Sequence, residues 1–279
     1  MSRGALVLVA TPIGNLADLA PRVAAELEAA DVVACEDTRR TGKLLELTGL
    51  KARRLLVVNE HNEARRVHEI MERLARGERI AVVTDAGTPG ISDPGERLVR
   101  AAVDRGFPVE VVPGPAAVIA ALVVSGLPAG RFAFEGFLPK KGAARHDRLE
   151  ELRVERRTIV LYEAPHRLER TLVDLRSALG GWRRVAVCRE LTKLHEETWR
   201  GDLATAVEYV RSQPPRGEYV IVVEGAAPRD SHDDELVAAL AAERAAGLST
   251  RDAVAAVAER FAVSKRRVYE LANRLDSQS

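Results

Sequence analysis

The sequence predicts an α/β protein of two lobes with a cleft between them, followed by a helical tail. Three observations carry this. Apolar runs of four to seven residues alternate with amphipathic segments through most of the 279 residues. The runs are apolar at consecutive positions, as in strands covered on both faces of a largely parallel sheet. The last 48 residues, from His232, show no strand pattern at all.

Taken in order, ALVLVA (5–10) is the first strand, and PRVAAELEAA (21–30) carries the first helix pattern. DVVACE (31–36) is the second strand, with Asp37 placed to cap a helix starting near Thr38. RLLVV (54–58) leads to ARRVHEIMERLARG (64–77), whose final glycine suits a helix C-terminus. RIAVVT (79–84) and VEVVP (109–113) bracket GERLVRAAVDRG (95–106), a helix with apolar Leu98, Val99, Ala102 and Val103. PGPAAVIAALVVSGLP (113–128) separates these five units from the rest, so the first lobe is expected to span 1–113 and the second 114–228. RFAFEG (131–136), TIVLYE (158–163), RVAVCRE (184–190) and EYVIVVEG (218–225) are its strands. HRLERTLVDLRSALGG (166–181) is a helix, and ETWRGDLATA (197–206) reads as an antiparallel return. Residues 232–279 form the tail, in which LSTRDAVAAVAERFAVSKRRVYELANRL (248–275) reads as two helices capped by Ser249 and Ser264.

Apolar residues make up 46%, charged residues 30%, and the net charge is +1. A disordered chain and a general polycation are thereby excluded, and any nucleic-acid contact must come from local patches. No run of 18 apolar residues exists, so no membrane span is expected and a cytoplasmic location fits. Cys35 and Cys188 fall inside predicted strands without a CxxC or Cys/His cluster, so buried thiols and no metal site are expected.

VVTDAGTPGISDPGERL (82–98) is the stretch least explained by folding alone. It places about fourteen residues between a strand and a helix, where two to six are usual. Gly87 and Gly90 open backbone conformations closed to other residues, while Thr88-Pro89 and Asp93-Pro94 stiffen the loop. One reading is a turn cluster that only caps the next helix; the other is a ligand site. Neither common phosphate-binding glycine motif occurs, and Asp85 and Asp93 would repel a bare phosphate. Ribose hydroxyls, an ammonium group or a metal suit them. A cationic nucleoside such as S-adenosylmethionine satisfies both these acids and the apolar surroundings.

Comparable cassettes follow other strands: ATPIGNLADL, CEDTRRTGKLL, VVPGPAAVIAAL and IVLYEAPHRLERTL. Ligands in open α/β sheets bind outside the carboxyl ends of strands. With FEGFLPKKG and CRELTKLHEE, these motifs make residues 5 to 225 resemble the small-subunit ribosomal RNA cytidine 2′-O-methyltransferases of the tetrapyrrole-methylase superfamily. The resemblance implies a homodimer, S-adenosylmethionine folded in the cleft, and methylation of a cytidine 2′-hydroxyl in the decoding region of the small subunit. It implies cofactor contacts at Pro12, at Asp85, Gly87, Ile91 and Ser92 of the long loop, at Ala116 and Ala117, and at Tyr162 and Leu191. Thr84-Asp85-Ala86 stands where the superfamily has Gly-Asp-Pro, with two further residues following.

Methyl transfer from a sulfonium requires in-line alignment of oxygen, carbon and sulfur, together with a proton acceptor. Glu36, Asp37, His61, Glu163, His166 and Glu190 are the charged strand-end groups, and Asp37 and Glu163 are the predicted catalytic residues. RNA contacts are expected at Arg39, at Lys140, Lys141 and Arg145, and at Lys265, Arg266 and Arg267. The stretch 139–157 carries seven Lys/Arg against four Asp/Glu. The last three cations crowd the first turn of the final helix, where the dipole disfavours them, so a phosphate neighbour is expected, as in a helix-turn-helix. Two other readings stay open on the sequence: a porphyrinoid methyltransferase on the same scaffold, and a non-catalytic nucleic-acid-binding protein. The basic FLPKKG region and the tail speak against the first, and the elaborate strand-end loops against the second.

Overall fold

The computed structural model describes residues 4–59, 61–92, 94–227 and 233–276; Asp93 and His232, singled out above, lie outside them. The chain divides into two compact units between Glu224 and Gly225.

The first unit opens with β1 (Leu6–Val9), α1 (Pro21–Ala29), β2 (Val32–Cys35), α2 (Thr38–Thr48) and β3 (Leu55–Val57). It continues with α3 (Glu63–Ala75), β4 (Ile80–Val82), α4 (Glu96–Asp104) and β5 (Val109–Val112). The five strands pair in the order β3-β2-β4-β1-β5, all parallel. One face of this sheet buries Val7, Val9, Val33 and Ala81 against Val23 and Leu27 of α1 and Leu45 of α2. The other packs Leu6, Val32, Ile80 and Val82 against Ile70, Met71 and Leu74 of α3 and Leu98 of α4. Each large side chain so buried contributes about 1.5–3 kcal/mol.

α5 (Ala117–Ser125) crosses to a second sheet. It is followed by β6 (Phe132–Gly136), α6 (Ala143–Arg153), β7 (Thr158–Glu163), α7 (Pro165–Leu179) and β8 (Arg184–Arg189). β9 (Glu197–Asp202), α8 (Leu203–Ser212) and β10 (Tyr219–Val223) complete the lobe. The strand order is β6-β7-β10-β8-β9. Only β6 and β7 pair in parallel; β7–β10, β10–β8 and β8–β9 are antiparallel. The expectation of largely parallel sheets therefore holds for the first lobe and is corrected for the second. Ile159, Leu161, Val187 and Ile221 face α6, α7 and α8, whereas Val160, Ala186, Cys188 and Val220 face α5. Cover on both faces makes a strand apolar throughout, whichever way it runs. The antiparallel return expected at ETWRGD is β9, in register from Arg184↔Asp202 to Arg189↔Glu197. Cys35 and Cys188 are buried free thiols, and burial pushes the Cys188 thiol up to about 11.

The second unit contains α9 (Asp233–Ala245), α10 (Thr250–Arg260) and α11 (Lys265–Asp276), packed around Leu236, Leu240, Val254, Val257, Val268 and Leu271. Ser249 caps α10 by accepting the Asp252 N–H at 3.2 Å, and Ser264 caps α11 by accepting that of Arg267 at 3.3 Å. Among the described residues no helix is long and apolar enough to cross a membrane.

Candidate active site

The long loop after β4 is tied down along its length. Thr11 and Gly87 exchange main-chain hydrogen bonds of 2.9 and 3.1 Å. Gly87 does so at φ +87°, a conformation that strains any residue with a side chain. Thr88 Oγ1 donates to the Pro115 carbonyl at 3.1 Å, joining the loop to the segment before α5. Buried Glu63 accepts the Gly95 N–H at 3.0 Å and closes the loop onto α4. Ser92 holds φ +61°, a left-handed conformation that costs a non-glycine residue about 1–3 kcal/mol and tends to mark functional sites. Its Oγ lies 2.9 Å from where a Cβ on Gly136 would stand, so the first lobe's loop meets the end of β6 closely.

Between the lobes lies a cavity of about 300 Å³, a size typical of small-molecule sites. Ile13 and Ala86, Gly87, Thr88, Ile91 and Ser92 form one side. Ala116 and Ala117 at the start of α5, with Leu191, form another; Phe137, Tyr162 to Pro165, and Glu218 to Val220 complete it. Phe134 and Phe137 meet the Tyr162 ring edge-on, with centroids 4.9 and 5.8 Å away. The Tyr162 hydroxyl accepts the Val118 N–H at 3.1 Å and so fixes the start of α5. Ala116 supplies no side-chain cap, and with Val118 bonded to Tyr162 and Ile119 to the Ala116 carbonyl, the Ala117 N–H is the first-turn donor of α5 left beside the cavity among the described residues.

Of the expected cofactor contacts, Gly87, Ile91, Ser92, Ala116, Ala117, Tyr162 and Leu191 line this cavity, and Pro12 and Asp85 each stand one residue outside the lining. Ile13, Thr88 and Phe137 lay in motifs already quoted but were not assigned to the cofactor. Glu218, Tyr219 and Val220 were missed for a physical reason. β10 runs antiparallel to β7, with Tyr219 opposite Glu163. Its amino end, not its carboxyl end, therefore borders the cavity.

The carboxylates divide sharply. Asp37 caps α2, accepting the Arg39 N–H at 2.8 Å, and pairs with the Arg39 guanidinium at 2.6 Å. Those hydrogen bonds hold its carboxyl down at about 2, so it is a weak proton acceptor at neutral pH. Glu163, next to Tyr162 on one strand, also borders the cavity and reaches toward Arg167 and Thr171 of α7. Its Oε1 accepts the Ala164 N–H at 2.9 Å and pairs with Arg167 at 3.3 Å, and its Oε2 accepts from Thr171 at 2.6 Å. Both predicted catalytic carboxylates, Asp37 and Glu163, therefore have their oxygens engaged by donors of the protein itself. Glu36 and Asp85 have the opposite character. Glu36 Oε1 accepts the Asp85 N–H at 3.1 Å, and burial raises its carboxyl above the usual range. Asp85 Oδ2 meets Arg40 at 3.3 Å, while Oδ1 is buried without a hydrogen-bond partner among the described residues. Burial, partly offset by Arg40, raises its pKa as well. His61 and His166 are exposed, and Glu190 is engaged by Lys193 at 2.9 Å and by the Glu218 N–H at 2.9 Å.

The basic residues also separate. Lys140 and Lys141 are exposed on the loop after β6, and Arg39 is exposed but paired with Asp37. Arg145, expected to contact RNA, is 4% exposed and donates to Asp174, Pro139 and Thr171 at 2.8, 2.9 and 3.0 Å. Packing of α6 on α7 buries it, and that expectation is corrected. In the second unit Lys265 is exposed, Arg266 pairs with Glu270 at 3.2 Å, and Arg267 pairs with Asp233 at 3.2 Å.

The sequence matches the family of tetrapyrrole (corrin/porphyrin) methylases over residues 5–207. It is 45% identical over 277 residues to ribosomal RNA small subunit methyltransferase I of Synechocystis sp., covering 98% of this chain and 99% of that one. It is 48% identical over 259 residues to the protein of the same name from Mycobacterium tuberculosis, covering 92% and 90%. Among solved structures it is similar to uroporphyrin-III C-methyl transferase from Thermus thermophilus complexed with S-adenyl homocysteine. That match has a TM-score of 0.57 and 19% identity over 79% of this chain and 97% of the other, a likeness of fold.

Proposed function

This chain belongs to the tetrapyrrole (corrin/porphyrin) methylases, and we propose that it methylates a cytidine ribose 2′-hydroxyl in the decoding region of small-subunit ribosomal RNA. S-adenosylmethionine is the methyl donor. The observation that carries this reading is identity of 45% and 48%, over at least nine-tenths of both chains, with relatives named for that RNA. The tetrapyrrole-modifying neighbour shares only 19%.

The cavity suits the donor. Ile13, Ala86, Ile91 and Leu191 offer the apolar walls an adenosyl group needs, and the Ala117 N–H at the start of α5 and the Ser92 hydroxyl offer polar ends. When bound, the donor supplies a methyl group already activated on a positively charged sulfur. The chain's own tasks are to align the acceptor hydroxyl, worth about 7–11 kcal/mol when orientation is good, and to receive its proton. A proton acceptor contributes about 10²–10⁴-fold. Asp85 and Glu36 fit that task, with raised pKa values and one carboxylate oxygen unpartnered beside Ala86.

RNA is held by local charge on a chain of nearly neutral balance. Lys140 and Lys141 stand on the loop whose Phe137 borders the cavity, and Arg39 lies beside the acidic cluster. The tail, residues 232–279, presents Lys265 and Arg266 at the start of α11, where phosphate offsets the unfavourable dipole. A homodimer accords with Ile119 and Val123, one turn apart on α5, which are 46% and 67% exposed on an otherwise apolar helix. Activity on ribosomal RNA accords with a cytoplasmic location.

Incubation with isotopically labelled S-adenosylmethionine tests this reading, offering small ribosomal subunits, naked small-subunit RNA or a porphyrinoid as acceptor. Label is expected in RNA, at a phosphodiester resistant to alkali because its 2′-oxygen is capped. Label in the porphyrinoid, or in a base that alkali releases as a mononucleotide, would refute the proposed reaction.

A further inference from the structure

Phe137 is set apart by its position. The ring is 52% exposed yet held edge-on against Tyr162. It borders two cavities, the one described above and a more open one of about 360 Å³ whose wall includes Phe134, Asp147 and Arg148. Arg148 is suspended there between the carboxylates of Glu135 and Glu151.

The residues after Phe137 are clamped from beneath. Arg167 donates to the Leu138 carbonyl at 2.7 Å, and buried Arg145 donates to the Pro139 carbonyl at 2.9 Å. Both arginines are anchored in turn: Arg145 by Asp174, Arg167 by Glu163, with Thr171 bonded to both Arg145 and Glu163. The chain then emerges with Lys140 and Lys141 exposed and, among the described residues, without ion pairs. Ordering a surface loop costs backbone entropy, and one buried and one half-buried guanidinium group held on its carbonyls keep one arrangement in place before any ligand arrives.

An exposed aromatic ring followed by unpaired cations is the chemistry that holds single-stranded nucleic acid: a base stacks on the ring while cations meet the flanking phosphates. We infer that residues 137–142 form a preorganised nucleobase platform. On it Phe137 stacks a base of the acceptor RNA at the mouth of the donor cavity, and Lys140 and Lys141 hold the neighbouring phosphates. Arg148 and Asp147 present a donor and an acceptor to a base edge in the second cavity. Arg145 and Arg167 are positioning residues for the platform, and Glu163 is their anchor. The inference rests on the RNA-methylating reading and adds where the acceptor sits.

Binding measured without turnover tests it on the full chain, with small ribosomal subunits and naked small-subunit RNA as probes and donor affinity followed by calorimetry. Phe137→Leu keeps the cavity wall apolar and is expected to weaken RNA binding by about tenfold, more than it weakens donor binding. Phe137→Trp restores RNA binding. Lys140→Gln with Lys141→Gln lowers the slope of log affinity against log salt by about 1–2. Arg145→Lys, which keeps the charge but loses the planar fork, weakens RNA more than donor. RNA affinity unchanged in Phe137→Leu, or RNA and donor weakened equally, overturns the platform, as does failure of the wild-type chain to bind RNA. RNA bound through Phe137 but left unmethylated supports the platform and overturns the proposed reaction instead.

Discussion

Each lobe closes its strand ends with carboxylates and arginines, and the two clusters are built in opposite ways. In the second lobe both oxygens of Glu163 are engaged, and Arg145 is buried with three partners. In the first lobe Glu36 and Asp85 crowd together, half-buried, with Asp85 Oδ1 unpartnered. A saturated network fixes a shape, and any change of charge within it is costly. An unsaturated one still has a proton or hydroxyl to receive. Position at a strand end is thus common to both clusters, and hydrogen-bond saturation is what separates positioning from chemistry.

The largest effect expected from this contrast is on stability. Arg145→Met leaves Asp174, Thr171 and the Pro139 carbonyl without their donor, and breaking such a buried cluster costs about 3–5 kcal/mol. Scanning calorimetry should show Tm lower by roughly 10 °C in a unit of this size. Next comes catalysis. Asp85→Asn or Glu36→Gln is expected to lower kcat by about 10²-fold in single-turnover assays while leaving Tm undiminished. Equal loss in a well-folded Glu163→Gln chain would invert the comparison.

The pH profile sharpens the same point. Burial raises both Asp85 and Glu36. The folded chain therefore holds protons at a pH where the unfolded chain has released them, so stability declines as pH rises from the unfolded pKa to the folded one. The ionised form is the proton acceptor, so kcat is expected to fail on acidification above the region near pH 4 where ordinary carboxylates titrate. Asp85→Asn flattens chemical-denaturation stability over that interval. The smallest effect belongs to the second unit, where Ser264→Ala removes the α11 cap and costs about 1 kcal/mol, read as loss of helicity in that segment by hydrogen exchange.

Much of this arrangement is written in the residue pattern. Continuous apolar runs located the strands of both lobes because both sheets are covered on two sides. That same cover hid the direction of β10, since an apolar run carries no polarity, and with it the contribution of Glu218 to Val220. The length and glycine content of 82–98 pointed to the loop that now walls the cavity. Asp37 was visible as a cap, which is the role its hydrogen bond to Arg39 serves. Tyr162 and Glu163 are adjacent on one strand and both border the cavity; what sets Glu163 apart is that Ala164, Arg167 and Thr171 occupy its oxygens, which strand alternation does not reveal. Arg145 lay in a basic run that read as surface. Its burial follows from the packing of α6 against α7, which no local pattern encodes.

Titration of S-adenosylmethionine into the ligand-free full-length chain, repeated with Ala117→Trp, tests the central claim most directly. Saturable uptake that the tryptophan abolishes by filling the space between Ala117 and Leu191 is the expected result. A folded wild-type chain that takes up no donor, or uptake indifferent to the tryptophan, would contradict it.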